Sequence, residues 1–262
     1  MTTLYGVHVL LLHQLWVCAP CPVEFRLNKA ADPSLRDLVE RILPLGTYYT
    51  AISAFVEHRS DLDYGLINHA LCATIRDMLR DYQTLLSQLE HAFNTSPQFS
   101  LQKLWFYVHP TIHTLFLIYQ LVLELGTTDD PAPSSSSSSS PSPSDVVNVA
   151  AESGILVKGG EVLTIVYERM QNMSGDPTAH KLYSTLLRAA GAPYVSMLNV
   201  WTTTGRLVDP YEELCVKERK FINRGILEMD YTDEYWERRY TVSDRDWAYC
   251  RVHDILTVAF DS

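Results

Sequence analysis

The chain has 262 residues, with 21 Lys+Arg against 31 Asp+Glu and a formal charge of −10. Apolar residues are 47% and charged residues 20%, a globular composition that excludes a wholly disordered or fibrous chain and allows one large domain or two small ones. The acidic balance opposes generic binding to nucleic acid or to an anionic membrane, since both need a basic excess to displace counterions; the densest basic runs, Arg238-Arg239 and Lys217 to Lys220, sit among carboxylates.

The amino end, residues 1–31, is unassigned. Val7 to Val17 is largely apolar and reads as a buried strand or helix at the edge of the fold. A secretory signal is the alternative, against which stand an opening without Lys or Arg and interruptions at His8, His13 and Gln14. Cys18 and Cys21 form a CxxC, half a zinc site or a redox pair, but no second CxxC or HxxxH follows at zinc-finger spacing. With Cys72, Cys215 and Cys250 they make an odd, scattered set that favours a reducing compartment over a disulfide framework.

Asp32-Pro33-Ser34 offers a cap and an early proline, and Leu35, Leu38, Val39 and Ile42 follow at helical spacing until Pro44. A second helix, Thr47 to about Ser60, carries Tyr48, Ile52, Phe55 and Val56 on one stripe. Asp61-Leu62-Asp63 is expected to cap a third, running to about Phe93. The fourth, Ser100 to about Leu125, has no charged side chain from Leu104 to Leu123. Its length would span a bilayer, yet His109, Pro110, His113 and Gln120 interrupt it and no basic cluster anchors an end. A helix buried in the middle of an all-α bundle is the simpler reading, and it places Trp105 in the core.

From about 126 to 153 the sequence turns to Thr, Asp, Pro and an unbroken Ser134 to Ser140 run, which has little to bury and reads as a disordered loop. Two further helices are expected at Glu161 to Met173 and Thr178 to Ala190, then a short one at Tyr194 to Thr202. Gly205 ends it and Asp209-Pro210 turns the chain. Tyr211 to Tyr240 is mixed and charge-rich.

Chemistry-bearing patterns are sparse. No phosphate-binding glycine loop, GxSxG elbow or HExxH helix occurs, and the adjacent carboxylates Asp129-Asp130, Glu212-Glu213 and Asp233-Glu234 read as solvated charge. His109 and His113 are i,i+4 neighbours that could grip a metal, but no carboxylate stands nearby in sequence to complete a set. No catalytic residue, metal or cofactor is assigned.

Seven ordered segments go beyond composition: Asp32 to Pro44, Tyr64 to Leu71, Leu85 to His91, the LQKLWFYVHP block at Leu101 to Pro110, Ala192 to Trp201, Gly205 to Glu213, and Asp233 to Tyr240. Together they resemble the amino-terminal helical (GRIP-one) domain of the gamma-tubulin complex components, and within that family look most like component two. The likeness covers about residues 32–125 and 161–242. It implies an all-α array of helical bundles spanning 32–242, and a non-catalytic scaffold that packs laterally with sister components to organise microtubule nucleation. Component three is the partner it favours, and the place is a microtubule-organising centre or spindle pole in the cytoplasm. Carried over by position, Tyr194, Trp201, Asp209, Pro210, Tyr211, Tyr235, Trp236, Arg239 and Tyr240 occupy the family's motif places and are candidate partner contacts, with Glu212, Glu213, Asp233 and Glu237 as rim charges.

Residues 1–27 and 243–262 depart from the family's pattern. The half that holds gamma-tubulin in the family does not follow Val242, so gamma-tubulin is expected only indirectly, as in a truncated product, a partial gene model or a short variant. A membrane-attached or secreted helical protein is the alternative, on the apolar amino end and the uncharged 104–123 run.

Overall fold

The computed structural model describes residues 32–127, 157–219 and 233–242. The apolar amino end, Cys18 and Cys21, the serine run and the 243–262 tail lie outside the described residues. Helix α1 (Pro33–Ile42) starts as the sequence predicts: Asp32 Oδ1 accepts from the Ser34 N–H at 3.2 Å and Pro33 opens the first turn. Leu43 keeps helical dihedrals, and Pro44 begins α2 (Pro44–His58). A short 3₁₀ turn, Leu62–Tyr64, leads into α3 (Gly65–Thr95), which at 1.5 Å per residue is about 46 Å long. Helix α4 (Leu101–Thr127) follows, then α5 (Gly160–Asn172) and α6 (Pro177–Thr204). Strands β1 (Val216–Glu218) and β2 (Tyr240–Val242) flank α7 (Asp233–Arg239) and pair antiparallel, with Glu218 opposite Tyr240.

The core follows the helical period. On α3, Ile67, Leu71, Ile75 and Leu79 recur every four residues and are buried; on α6, Leu182, Leu186, Ala190, Tyr194 and Met197 recur at three to four residues and are buried too. α3 and α5 both pack along α6, while α1 and α2 pack along α4. Each fully buried Leu or Ile contributes about 1.5–3 kcal/mol relative to exposure. The Tyr183 hydroxyl donates to the Leu117 carbonyl at 3.0 Å, tying the two groups of helices together inside the core.

Three expectations are corrected. Asp61 and Asp63 do not cap α3: its start carries no side-chain cap from its own neighbourhood, because the 3₁₀ turn separates Asp61 from the first helical residue. The sixth and seventh predicted helices are one. α6 runs through Gly191-Ala192-Pro193, since the faces on both sides of Pro193 are buried, and that burial outweighs the ~3 kcal/mol cost of an interior proline. Helix α4 is a core helix mainly in its second half, its first half burying Val108. Leu115, Leu117, Ile118, Leu121, Val122 and Leu125 are buried, whereas Phe106 is 75% exposed and Trp105 is half-buried with its ring against His109.

Candidate partner-contact surface

The Gly205–Cys215 turn shows what the motif residues between α6 and β1 do. Gly205 closes α6 in the left-handed region (φ +68°) with its N–H on the Trp201 carbonyl at 2.8 Å. Asp209 Oδ2 then accepts from the Leu214 N–H at 2.6 Å, folding the chain back so that Glu212, at φ +57°, throws Glu213 inward. Glu213 is 2% exposed, and its two oxygens accept from the Leu66 and Ile67 N–H groups at 2.8 and 3.0 Å. It is therefore a helix cap, and the reading of Glu213 as a rim charge is corrected. A carboxylate 147 residues away supplies the α3 cap that Asp61 does not, satisfying two free N–H groups at the positive end of the helix dipole. Burial nevertheless dominates its titration, pushing the carboxyl above the usual glutamate range against the pull of those N–H groups.

Two glycines make room for Glu213, one at its carboxylate and one at its backbone. A Cβ on Gly65 (φ +85°) would lie 2.3 Å from Glu213 Oε1, and one on Gly159 (φ +65°) would lie 2.5 Å from the Glu213 carbonyl oxygen. Beside them Arg59, fully buried, donates to Asn68 Oδ1 at 3.2 Å, to the Leu125 carbonyl at 3.0 Å and to the Val157 carbonyl at 3.5 Å. Its guanidinium also lies over the rings of Tyr64 and Phe55. Asn68 Nδ2 reaches the Tyr64 and Val157 carbonyls. The end of α2, the start of α3, the end of α4 and the approach to α5 thus meet at one buried polar knot, which Glu213 closes. Gly65 and Asn68 fall in the Tyr64 to Leu71 segment that carries the family resemblance, where no structural role is read for them from sequence, and Arg59 and Gly159 have none assigned either.

Of the predicted motif residues, Tyr194 is buried with its hydroxyl donating to Cys215 Sγ at 3.4 Å, and Asp209 acts on the turn. Pro210 is exposed and Tyr211 half-buried at the turn's outer edge. The remaining five come together. The Trp201 and Tyr240 rings lie 5.9 Å apart, Tyr240 stacks on Trp236 at 5.6 Å and 16°, and Trp236 meets Tyr235 edge-on at 5.2 Å. Arg239 lies over the Tyr235 and Tyr240 rings, donates from Nε to Glu218 Oε1 at 2.9 Å and bonds the Tyr235 hydroxyl. The Glu218 carboxylate holds the Arg239 guanidinium above its ordinary pKa, so its charge is fixed. Tyr235 is buried and Trp236 is 50% exposed; Glu237 stands exposed next to Trp236 in sequence, and Glu212 stands exposed next to Tyr211. Among the described residues the four rings form a touching cluster in which Tyr235 is buried, Trp201 and Tyr240 are half-buried and Trp236 faces solvent.

Nothing comparable gathers around the other candidates. His109 packs on Trp105, while His113 Nε2 pairs with Asp176 Oδ2 at 2.6 Å. The Thr178 hydroxyl and, after it, His113 hold the Asp176 carboxyl far below the usual range. No group of three or more potential metal ligands occurs among the described residues. Burial pushes the Cys72 thiol up to about 11, which leaves no reactive thiolate there. Helix α4 is long and apolar enough to cross a membrane, but its second half is buried within the bundle and its last turn receives Arg59.

The frame is thus all-α, a bundle of helices that carries a cluster of touching aromatic rings at the two-stranded sheet. The profile of the gamma tubulin complex component N-terminal family matches residues 19–248, and the chain belongs to that family. It is 36% identical over 237 residues to the spindle pole body component alp4 of Schizosaccharomyces pombe, covering 85% of this chain and 30% of that protein. Against gamma-tubulin complex component 2 of Mus musculus it is 34% identical over 218 residues, 83% of this chain and 21% of the relative. With gamma-tubulin complex component 3 of Homo sapiens the identity is 26%, over 80% of this chain and 20% of that protein. The chain therefore spans about a fifth to a third of these relatives.

Proposed function

We propose that this chain is a non-catalytic scaffold domain of the component-two type, which packs laterally on a sister gamma-tubulin complex component and so helps to organise microtubule nucleation. The observation that carries this is the match of residues 19–248 to the family, with higher identity to component 2 of mouse than to component 3 of human. Component three is the favoured partner, gamma-tubulin is engaged through it, and the place is a microtubule-organising centre or spindle pole in the cytoplasm, the site named by the yeast relative. Lateral arrangement is what such a domain contributes energetically: subunits already ordered side by side spare a nucleus the entropy of assembling from free solution. The rings of Trp201, Trp236 and Tyr240 supply the contact's anchor, with Glu212 and Glu237 at its rim.

The test is co-expression of the 262-residue chain with a component-three protein and with gamma-tubulin. Recovery of component three with the chain, and of gamma-tubulin only when component three is present, is the expected result. Failure to recover any sister component would overturn the proposal.

A further inference from the structure

The corner between α2 and α3 sets a hydroxyl beside a cation that no carboxylate neutralises. Ser60 Oγ donates to the Val56 carbonyl at 2.7 Å, and Arg76 Nη2 of α3 donates to that same Ser60 oxygen at 3.3 Å. Arg76 is exposed and forms no ion pair among the described residues, whereas Arg80, one turn further on, is held by Asp77 at 3.3 Å. A guanidinium with five donors thus rests on one neutral oxygen, where a phosphate would engage it bidentately. The backbone around Ser60 is accessible. Ser60, Asp61, Leu62 and Asp63 are four consecutive exposed residues. Asp61 is extended, and the 3₁₀ turn that follows buries none of its residues and has no side-chain cap. Such a stretch opens locally without unfolding either helix.

We propose that Ser60 is a phosphorylation site for an acidophilic protein kinase and that Arg76 receives the phosphate. Asp61 and Asp63 place carboxylates one and three residues after the hydroxyl, the charge pattern that a basic substrate groove selects. In the transfer, the Ser60 Oγ–P bond forms as the bond between the β- and γ-phosphates of ATP breaks; the hydroxyl proton passes to the kinase's base and ADP leaves. Ser34 and Ser87 also have a carboxylate three residues on, but Arg36 intervenes after Ser34, whose hydroxyl is tied to Asp32 Oδ1 at 3.1 Å, and Ser87 lies inside α3. The phosphate brings a charge of about −1.5 to −2 at pH 7. Asp61 and Asp63 beside it, Glu57 in the groove that Arg76 lines, and the negative end of the α2 dipole all oppose that charge. The Oγ–H donor to Val56 is also lost. Without Arg76 the modification therefore loosens the end of α2; with Arg76 it ties the corner to α3.

The test incubates the intact chain with ATP and casein kinase 2, an acidophilic enzyme, and follows occupancy of Ser60 by mass spectrometry. Ser60 is expected to be modified in the folded wild type, at an initial rate that falls at least ~10-fold in D61N/D63N. Both aspartates are exposed, so this variant keeps the fold. No phosphate on Ser60, or an equal rate in D61N/D63N, overturns the assignment of the site. The receiving group is tested by thermal midpoints before and after treatment in wild type, S60A and R76Q, with S60A subtracting the effect of phosphate at any other position. Phosphate on Ser60 should raise the wild-type midpoint by about 2–4 °C and lower that of R76Q. The same shift in both would overturn Arg76 as the receiving group. Neither readout depends on a sister component.

Discussion

Glu213 ties distant parts of the fold together, because its carboxylate caps a 31-residue helix whose first turn lies 147 residues earlier in the chain. Glu213→Ala deletes both acceptors and leaves one buried and one part-buried N–H group unmet, a loss of about 2 kcal/mol, read as a lower denaturant midpoint at unchanged slope. Glu213→Gln keeps one acceptor oxygen and should fall between. The pH dependence has a definite sign. Burial raises the folded-state pKa, so the native protein binds this proton more tightly than the unfolded chain does. The stability linked to it is full below the ordinary glutamate pKa and is lost as pH rises through the raised one. The advantage of wild type over Glu213→Gln therefore shrinks across that window in a midpoint series, and an advantage growing with pH would mean that the N–H bonds outweigh burial. Gly65→Ala tests the same site from the other side, since its Cβ would meet Glu213 Oε1. Its cost and that of Glu213→Ala should fall short of additive in the double variant, with φ strain at +85° as the remainder.

At the scale of elements, Arg59 fastens both ends of the 128–156 segment, through the carbonyls of Leu125 and Val157. Arg59→Met strands those acceptors and should cost about 3 kcal/mol or more. Deleting Ser134 to Ser140 removes none of the residues that form that knot; if the segment behaves as the loop its composition predicts, chain-entropy scaling changes stability by only about 0.2 kcal/mol. Thermal unfolding of the two variants side by side checks the contrast. The helices were legible because their apolar residues repeat at 3.6, and the starts of α1 and α6 because Asp32 and Asp176 precede a proline. The Glu213 cap was not, since no local pattern reports a partner 147 residues away. The exposed end of α4 was partly legible: Trp105, Phe106 and Tyr107 are consecutive, and at 100° per residue three neighbours cannot all face one core. An uncharged run marks a helix that can be buried, and only the placement of α1, α2 and α6 decides how much of it is.

At the scale of the whole molecule, the motif residues divide into those that build the domain and those that face outward, and the division is testable in one pair of substitutions. Tyr235 and Trp236 are sequence neighbours whose rings touch, yet Tyr235 is 6% exposed and Trp236 50%. Tyr235→Ala removes a buried aromatic that also supports Arg239, so it should destabilise by about 3–5 kcal/mol and lower the melting temperature. Trp236→Ala removes a ring with solvent on one side, stacked only on Tyr240 and Tyr235, and should move the melting temperature little. If the row of rings is the lateral contact, the same change removes an anchor worth about 2 kcal/mol, a loss of roughly 30-fold in affinity for the sister component. Trp236→Phe, which keeps a stacking ring, should restore part of it. Titration of component three against the two folded variants decides the matter: undiminished affinity in Trp236→Ala would move the contact away from this surface while leaving membership of the family untouched.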